Sequence, residues 1–289
     1  MPPRFTKFHG YGNDYLVFEA DQLAEAGDLG PFAKRVCNRH YGAGADGIAV
    51  VQESEPPAVA GGQADFSVRI FNPDGSEASM SGNGTRCAAS YLFFHKLWTN
   101  DQLRLQTRNG VKRYLLRERL GDGAFLFQSE LGQPRFDSAS IPMLTDEPLE
   151  RVIDYSLQVG DENLRVTALQ MGNPNCCVFV DDFYKIDWRR LGPLIENHPQ
   201  FPERTNVIFV RVRERGNIEE RIWERGVGET ESSGTCSCAA VIASVINERT
   251  DRQVNVHAPG GVIPIEWRDD GEVVLNGRAD LVYSGEWLG

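Results

Sequence analysis

Two stretches of the chain overlay without a gap: RIFNPDGSEASMSGNG, from Arg69 to Gly84, and RIWERGVGETESSGTC, from Arg221 to Cys236. They share Arg-Ile-aromatic, then a glutamate (Glu77, Glu229), then a Ser-Gly turn (Ser81-Gly82, Ser233-Gly234). Other pairs run in the same order. GNDYLVFEAD from Gly12 answers GNPNCCVFVDD from Gly172, LGPFAKRVCNRH from Leu29 answers LGPLIENH from Leu191, and GIAVV from Gly47 answers NVIFV from Asn206. Past the Ser-Gly turns, CAASYLFF from Cys87 answers CAAVIASVI from Cys238, and LRLQTRNGV from Leu103 answers VNVHAPGGV from Val254. Matches in series are the signature of an internal duplication. The chain is therefore expected to form two pseudo-equivalent domains. The turn-rich Gly121-Asp122-Gly123 marks the boundary. This predicts an N-terminal repeat domain over 1–121, to which 278–289 returns, and a C-terminal repeat domain over 122–277.

Within each half, short β-branched and aromatic runs (YLVFE, GIAVV, FSVRIF, LRLQT) bounded by Gly, Asn and Asp predict strands. Amphipathic patterns predict helices over Pro31 to His40 and Asp187 to His198, with Asp187 as N-cap. The helix after each Ser-Gly turn is different in kind. Cys87, Ala88, Ala89, Tyr91, Leu92 and Phe93 in one half, and Cys238, Ala239, Val241, Ile242, Val245 and Ile246 in the other, leave it almost no polar face. Such a helix is buried on all sides. The expected class is α/β, with each pseudo-symmetric domain a mixed β-sheet or barrel wrapped around a central helix.

A formal charge of −11 and a pI near 5.0 argue against nucleic acid or an anionic membrane as partner. No apolar stretch approaches the roughly 18 residues of a membrane span, and the first residues carry no signal-like apolar region, so a cytoplasmic protein is expected. The six cysteines include no CxxC pair and the five histidines are scattered, so neither a disulfide framework nor a metal site is expected. GAGADG at Gly42 follows a helix and precedes a strand, the reverse of the order a dinucleotide fingerprint needs. A serine hydrolase would require a histidine near Ser81 or Ser233. His9 has no counterpart in the second half, so it reads as a hydrogen-bonding residue of the fold.

A Ser-Gly turn at a helix mouth can simply cap the helix. Alternatively, the free N–H groups and the positive dipole end bind an anion such as a carboxylate, and the crest residue meets the substrate. Two such turns related by pseudo-symmetry favour the second use. One group would remove a proton from one face of an α-carbon while its mate delivers a proton to the other.

FHGYGND, GADG, FNPDGSE, SGNGTRC, GNPNC, FPERTNV, ERGVGET and SGT together resemble the signature blocks of the diaminopimelate epimerase family, over essentially the whole chain. The resemblance implies two pseudo-symmetric α/β domains and L,L-to-meso interconversion of diaminopimelate without metal or cofactor, with a tendency towards homodimers. It implies substrate contacts from Asn13, Asn72, Asn173, Asn206 and Arg225. It also implies carboxylate binding by the backbone at Gly82-Asn83 and Gly234-Thr235, and assistance in proton transfer by Glu224. The family's two catalytic cysteines correspond here to Ser81 and Ser233. Its Gly-Asn-Pro-His reads Gly-Asn-Pro-Asn, with Asn175, and Cys236 stands where glycine is usual. A serine hydroxyl does not titrate near neutrality and needs a group to take its proton. Three outcomes stay open on the residues alone: epimerisation through assisted serines (or through Cys236 as a substitute thiol), a one-base isomerase or dehydratase acting next to a carboxylate, or a silent carboxylate-binding protein.

Overall fold

The computed structural model describes residues 2–54, 64–78 and 80–289, which divide into two compact units, Met1–Ser129 with Asn276–Gly289 and Glu130–Leu275. The first unit contains β1 (Arg4–Gly10), β2 (Asn13–Glu19), α1 (Leu29–Val36), β3 (Gly47–Glu53), β4 (Phe66–Phe71), β5 (Glu77–Ala78), α2 (Gly82–Phe94), β6 (Gln102–Thr107), β7 (Gly110–Gly121) and β8 (Ala124–Glu130). The second contains β9 (Val152–Val159), β10 (Glu162–Gln170), β11 (Pro174–Phe179), α3 (Trp188–Glu196), β12 (Asn206–Glu214), β13 (Asn217–Glu224), β14 (Gly228–Thr230), α4 (Gly234–Ile246), β15 (Gln253–Ala258) and β16 (Gly261–Trp267). A final strand, β17 (Val273–Glu286), begins in the second unit and ends in the first.

The same ladder is built in each unit. In the first, β1 pairs with β2 antiparallel, β2 with β3 parallel, β3 with β4 antiparallel, β4 with β6 parallel and β6 with β7 antiparallel. In the second, β10–β11, β11–β12, β12–β13, β13–β15 and β15–β16 repeat that series of directions. The two parallel steps follow from the connections: α1 and α3 carry the crossovers of β2–β3 and β11–β12, and α2 and α4 those of β4–β6 and β13–β15.

Residues 83–93 of α2 are all buried. The helix packs on β1, β2, β3, β4 and β6 and shares its core with Phe8, Val17, Val68, Leu103, Leu105 and Phe127. In the same way α4 is buried from Cys236 to Ser244 and packs on β10 to β13, β15 and β16. A helix without a polar face has thus been enclosed by a curved sheet, twice, as its composition demands. All six cysteines are free and buried. No helix among the described residues is long and apolar enough to cross a membrane.

The two outer helices are shorter than their amphipathic patterns predict. α1 starts at Leu29 behind an Asp28 N-cap and stops at Val36. The Asn38 side chain accepts from both His40 and Tyr41 N–H at 2.9 Å, which turns the chain out of the helix before His40. α3 keeps Asp187 as N-cap but ends at Glu196, where the Asn197 side chain donates to the Pro193 carbonyl at 2.9 Å. Periodicity reports which face is apolar, while a side chain competing for backbone groups decides where the helix ends.

Gly47 on β3 is tightly flanked by its neighbouring strands β2, where it pairs with Tyr15, and β4. A Cβ there would lie 2.7 Å from the Phe71 carbonyl and 2.7 Å from Tyr15 Cε1. Gly47→Ala is expected to destabilise the chain by about 1–3 kcal/mol through overpacking, read as a lower denaturant midpoint at unchanged slope. A neutral result would show that the β2–β3–β4 layer yields more readily than its packing suggests.

Candidate active site

Ser81 is the N-cap of α2, with extended backbone at φ −136° and ψ 123°, and its Oγ accepts from Gly84 N–H at 3.1 Å. The same Oγ lies 2.9 Å from the Tyr15 hydroxyl. Next to the cap, Asn83 donates to Asn13 Oδ1 at 3.1 Å and accepts from the buried Arg86 guanidinium. Asn13 in turn donates to Asp46 at 2.9 Å, and Asp46 is tied to Arg39. The first unit therefore brings Asn13 and Asn83 into direct contact through a relay that ends in an ion pair. Asn72 joins neither group. Its side chain donates to Ser76 within its own turn, at 2.9 Å. A Cβ at Gly82 would meet nothing within 4 Å, so its backbone is left open.

Ser233 is the N-cap of α4 and has nearly the same backbone, φ −145° and ψ 119°, but its side chain makes no capping bond. Its Oγ instead donates to Glu224 Oε1 at 3.3 Å. Burial pushes the Glu224 carboxyl above its usual range. The first-turn N–H groups of α4, at Gly234 and Thr235, are left without a side-chain cap, which is the condition for binding an anion at a helix end.

Beside this mouth runs a chain of amides. Asn173 donates to Thr235 Oγ1 at 3.2 Å. Asn175, fully buried, donates to the Asn173 carbonyl at 2.7 Å and to Asn173 Oδ1 at 3.0 Å. It accepts from Asn206 at 3.1 Å, and Asn206 Oδ1 accepts from Arg225 N–H at 2.9 Å. The second unit thus joins Asn173, Thr235, Asn206 and Arg225, with Asn175 as the link. Glu224 and Ser233 form a separate pair, adjacent in sequence to the ends of that chain. Cys236 is fully buried, and its thiol is pushed well above the ordinary range by burial and then by the Glu224 charge. A thiol so held is a poor base, which argues against Cys236 as a substitute for the missing cysteine.

A layer behind each serine was not anticipated. Thr85, four residues on from Ser81, donates to the Ser81 carbonyl at 2.8 Å and meets the Tyr114 hydroxyl at 2.5 Å. Ser237, four residues on from Ser233, bonds the Ser233 carbonyl at 2.9 Å and Glu220 Oε1 at 2.5 Å. Each crest carbonyl is steadied by a hydroxyl that is itself backed by a buried polar group, a phenol in the first unit and a carboxyl in the second. Glu220 is fully buried, its other oxygen has no hydrogen-bond partner, and burial pushes its carboxyl up to about 8. Both contacts of Ser237 are satisfied when Glu220 is protonated and donates to it. Alternation along β13 carried the signal, since Ile218, Glu220 and Ile222 share the inward face. Tyr15 was equally readable, as it holds the repeat position of Asn175.

The fold recurs in solved structures of low sequence identity. A Bacillus anthracis phenazine biosynthesis protein of the PhzF family matches at a TM-score of 0.69 and 17% identity over 100% of both chains. A hydroxyproline epimerase from Agrobacterium vitis matches at 0.67 and 15%, over 100% of this chain and 94% of its own. These define the class by architecture: a two-domain fold of strands around central helices that includes epimerases. The family model described as diaminopimelate epimerase matches residues 5–126 and 167–282. Diaminopimelate epimerases of Pelotomaculum thermopropionicum and Desulforudis audaxviator are 42% and 43% identical over 98% of this chain, covering 98% and 99% of their own lengths. The chain belongs to the diaminopimelate epimerase family, isomerases that act on amino acids.

Glu220 generates a pH signature. Its folded value near 8 stands above the ordinary 4.5, so the native state holds a proton that the unfolded chain releases between those limits. Its contribution to stability is full below about 4.5, declines as pH rises, and is lost above about 8, a change on the order of a few kcal/mol. Glu220→Gln is expected to flatten this part of the stability–pH curve and to be more stable than the parent at pH 9. Denaturant midpoints from pH 5 to 9 read it, and parallel curves for the two proteins would refute it.

Proposed function

We propose that this chain interconverts L,L- and meso-diaminopimelate by proton transfer at an α-carbon, with Ser81 and Ser233 as the crest residues and no bound cofactor. The observation that carries the reading is the Ser233–Glu224 pair at the uncapped mouth of α4. A serine here has what serine chemistry requires, a carboxylate placed to take its proton, next to N–H groups free to hold a substrate carboxylate. For the reaction, an α-proton passes to the Ser233 oxygen as the Ser233 proton passes to Glu224, and the Ser81 hydroxyl supplies a proton to the carbanion. Asn13, Asn72, Asn173, Asn206 and Arg225 serve as substrate contacts. Gly82-Asn83 and Gly234-Thr235 offer backbone N–H groups to the α-carboxylate. The matching series of strand directions in the two units supports an origin by internal duplication. A cytoplasmic homodimer acting in lysine and peptidoglycan precursor synthesis belongs to the same reading. The relatives named diaminopimelate epimerase favour it over a one-base isomerase or a silent binder.

The test is incubation of the protein in D₂O with each isomer separately, following the α-proton and the stereoisomer ratio by NMR. Deuterium entry with appearance of the other isomer is expected. Ser81→Ala and Ser233→Ala should each lower inversion by about 10²-fold or more. Exchange without inversion would overturn the two-base reading, and binding without exchange would leave a carboxylate clamp in place of an enzyme.

A further inference from the structure

Glu224 explains how Ser233 can exchange a proton, but Ser81 has no such neighbour. Among the described residues no carboxylate bonds its Oγ, whose partners are Gly84 N–H and the Tyr15 hydroxyl. We infer that Tyr15 is the proton partner of Ser81, so that the first unit works as a Tyr15–Ser81 pair where the second works as a Glu224–Ser233 pair. This rests on the proposed epimerase reading and names a positioning residue for it.

The repeat makes the assignment specific. Aligned on the shared Arg-Ile-aromatic motif, Glu224 falls on Asn72, and aligned on Gly12 and Gly172, Tyr15 falls on Asn175. Each half thus keeps one ionisable group and one amide at these two positions, and the choice is reversed between them. Asn72 is an amide that donates to Ser76, so the first half has no acid at that position. Asn175 is committed to Asn173 and Asn206, so the second half has lost its acid at the other. In both halves the surviving ionisable group is the one that touches the crest serine.

The ring is held for this contact. Tyr15 lies on β2, 5% exposed, with its hydroxyl 2.9 Å from Ser81 Oγ. A Cβ at Gly47 would come within 2.7 Å of its Cε1, and one at Gly84 within 3.0 Å. Side chains at either position would push the phenol off the serine. Gly84 also donates its N–H to Ser81 Oγ, leaving the hydroxyl proton and one lone pair for the phenol and the substrate.

The proton count balances. In one direction Ser81 gives its proton to the α-carbanion and takes the Tyr15 phenolic proton, leaving phenolate, while Glu224 has gained a proton through Ser233. In the other direction the α-proton moves to the Ser81 oxygen as the Ser81 proton moves to the phenolate, and Glu224 returns its own. The first direction starts with a proton on Tyr15 and none on Glu224, and the second direction starts with the reverse.

Tyr15→Phe keeps the ring and removes only the hydroxyl. Assayed on the full chain by the same D₂O exchange, it is expected to lower kcat by about 10²-fold, with KM held within about threefold. The double variant Tyr15→Phe/Ser81→Ala should be no slower than Ser81→Ala alone, because the two act as one unit. Wild-type inversion with a Tyr15→Phe rate within about threefold of it, or losses that multiply in the double variant, would overturn the inference and leave the epimerase reading intact. A wild type inert towards both isomers would overturn that reading and the inference with it. Should Tyr15→Phe fail to fold by circular dichroism, fluorotyrosine at position 15 decides. Its more acidic phenol should move the alkaline limb of the pH–rate profile to lower pH, and an unmoved limb would overturn the pairing.

Discussion

Each unit is organised by enclosing a helix that has no polar face. Burying α2 and α4 on every side removes water from all but their ends, and backbone N–H groups of a first turn cannot be left unpaired without cost. The mouth of each helix is therefore the place where polar side chains must gather. The Ser81 cap, the asparagine relays and the buried hydroxyl pairs behind the two serines all stand there.

The two mouths meet the demand differently. At α2 the serine spends one lone pair on its own helix, through Gly84, and its partner is a phenol. At α4 the serine leaves the helix uncapped and faces a carboxylate raised by burial. A cap is worth about 1 kcal/mol, so α4 forgoes stability at the position where its N–H groups are free for a ligand.

Buried polarity also sets the tolerance of the site to change. Asn175 bonds two residues of the second unit, and removing its amide would leave partners on Asn173 and Asn206 unpaired, at about 1–3 kcal/mol for each buried orphan. In this chain Asn175 serves the relay, and the groups that touch the two serines are Tyr15 and Glu224.

Much of this was legible in the residues. The repeat, the apolar helices, the N-cap serines and the Asn-rich motifs are local or periodic patterns, and β2, β3, β4, β6, α2 and α4 appear where the patterns put them. The ends of α1 and α3 were not legible, because a side chain two or more residues away intercepts the backbone. Nor were the partners of the serines. Tyr15 and Ser81 are separated by 66 residues, and Ser237 meets Glu220 across 17. Sequence by itself determined the two-fold plan and the residue types at each crest, since period and composition are properties of neighbours along the chain. Only the tertiary structure decided which acid stands behind which serine, because that depends on strand register and on the absent side chains of Gly47 and Gly84, which bring a phenol into contact.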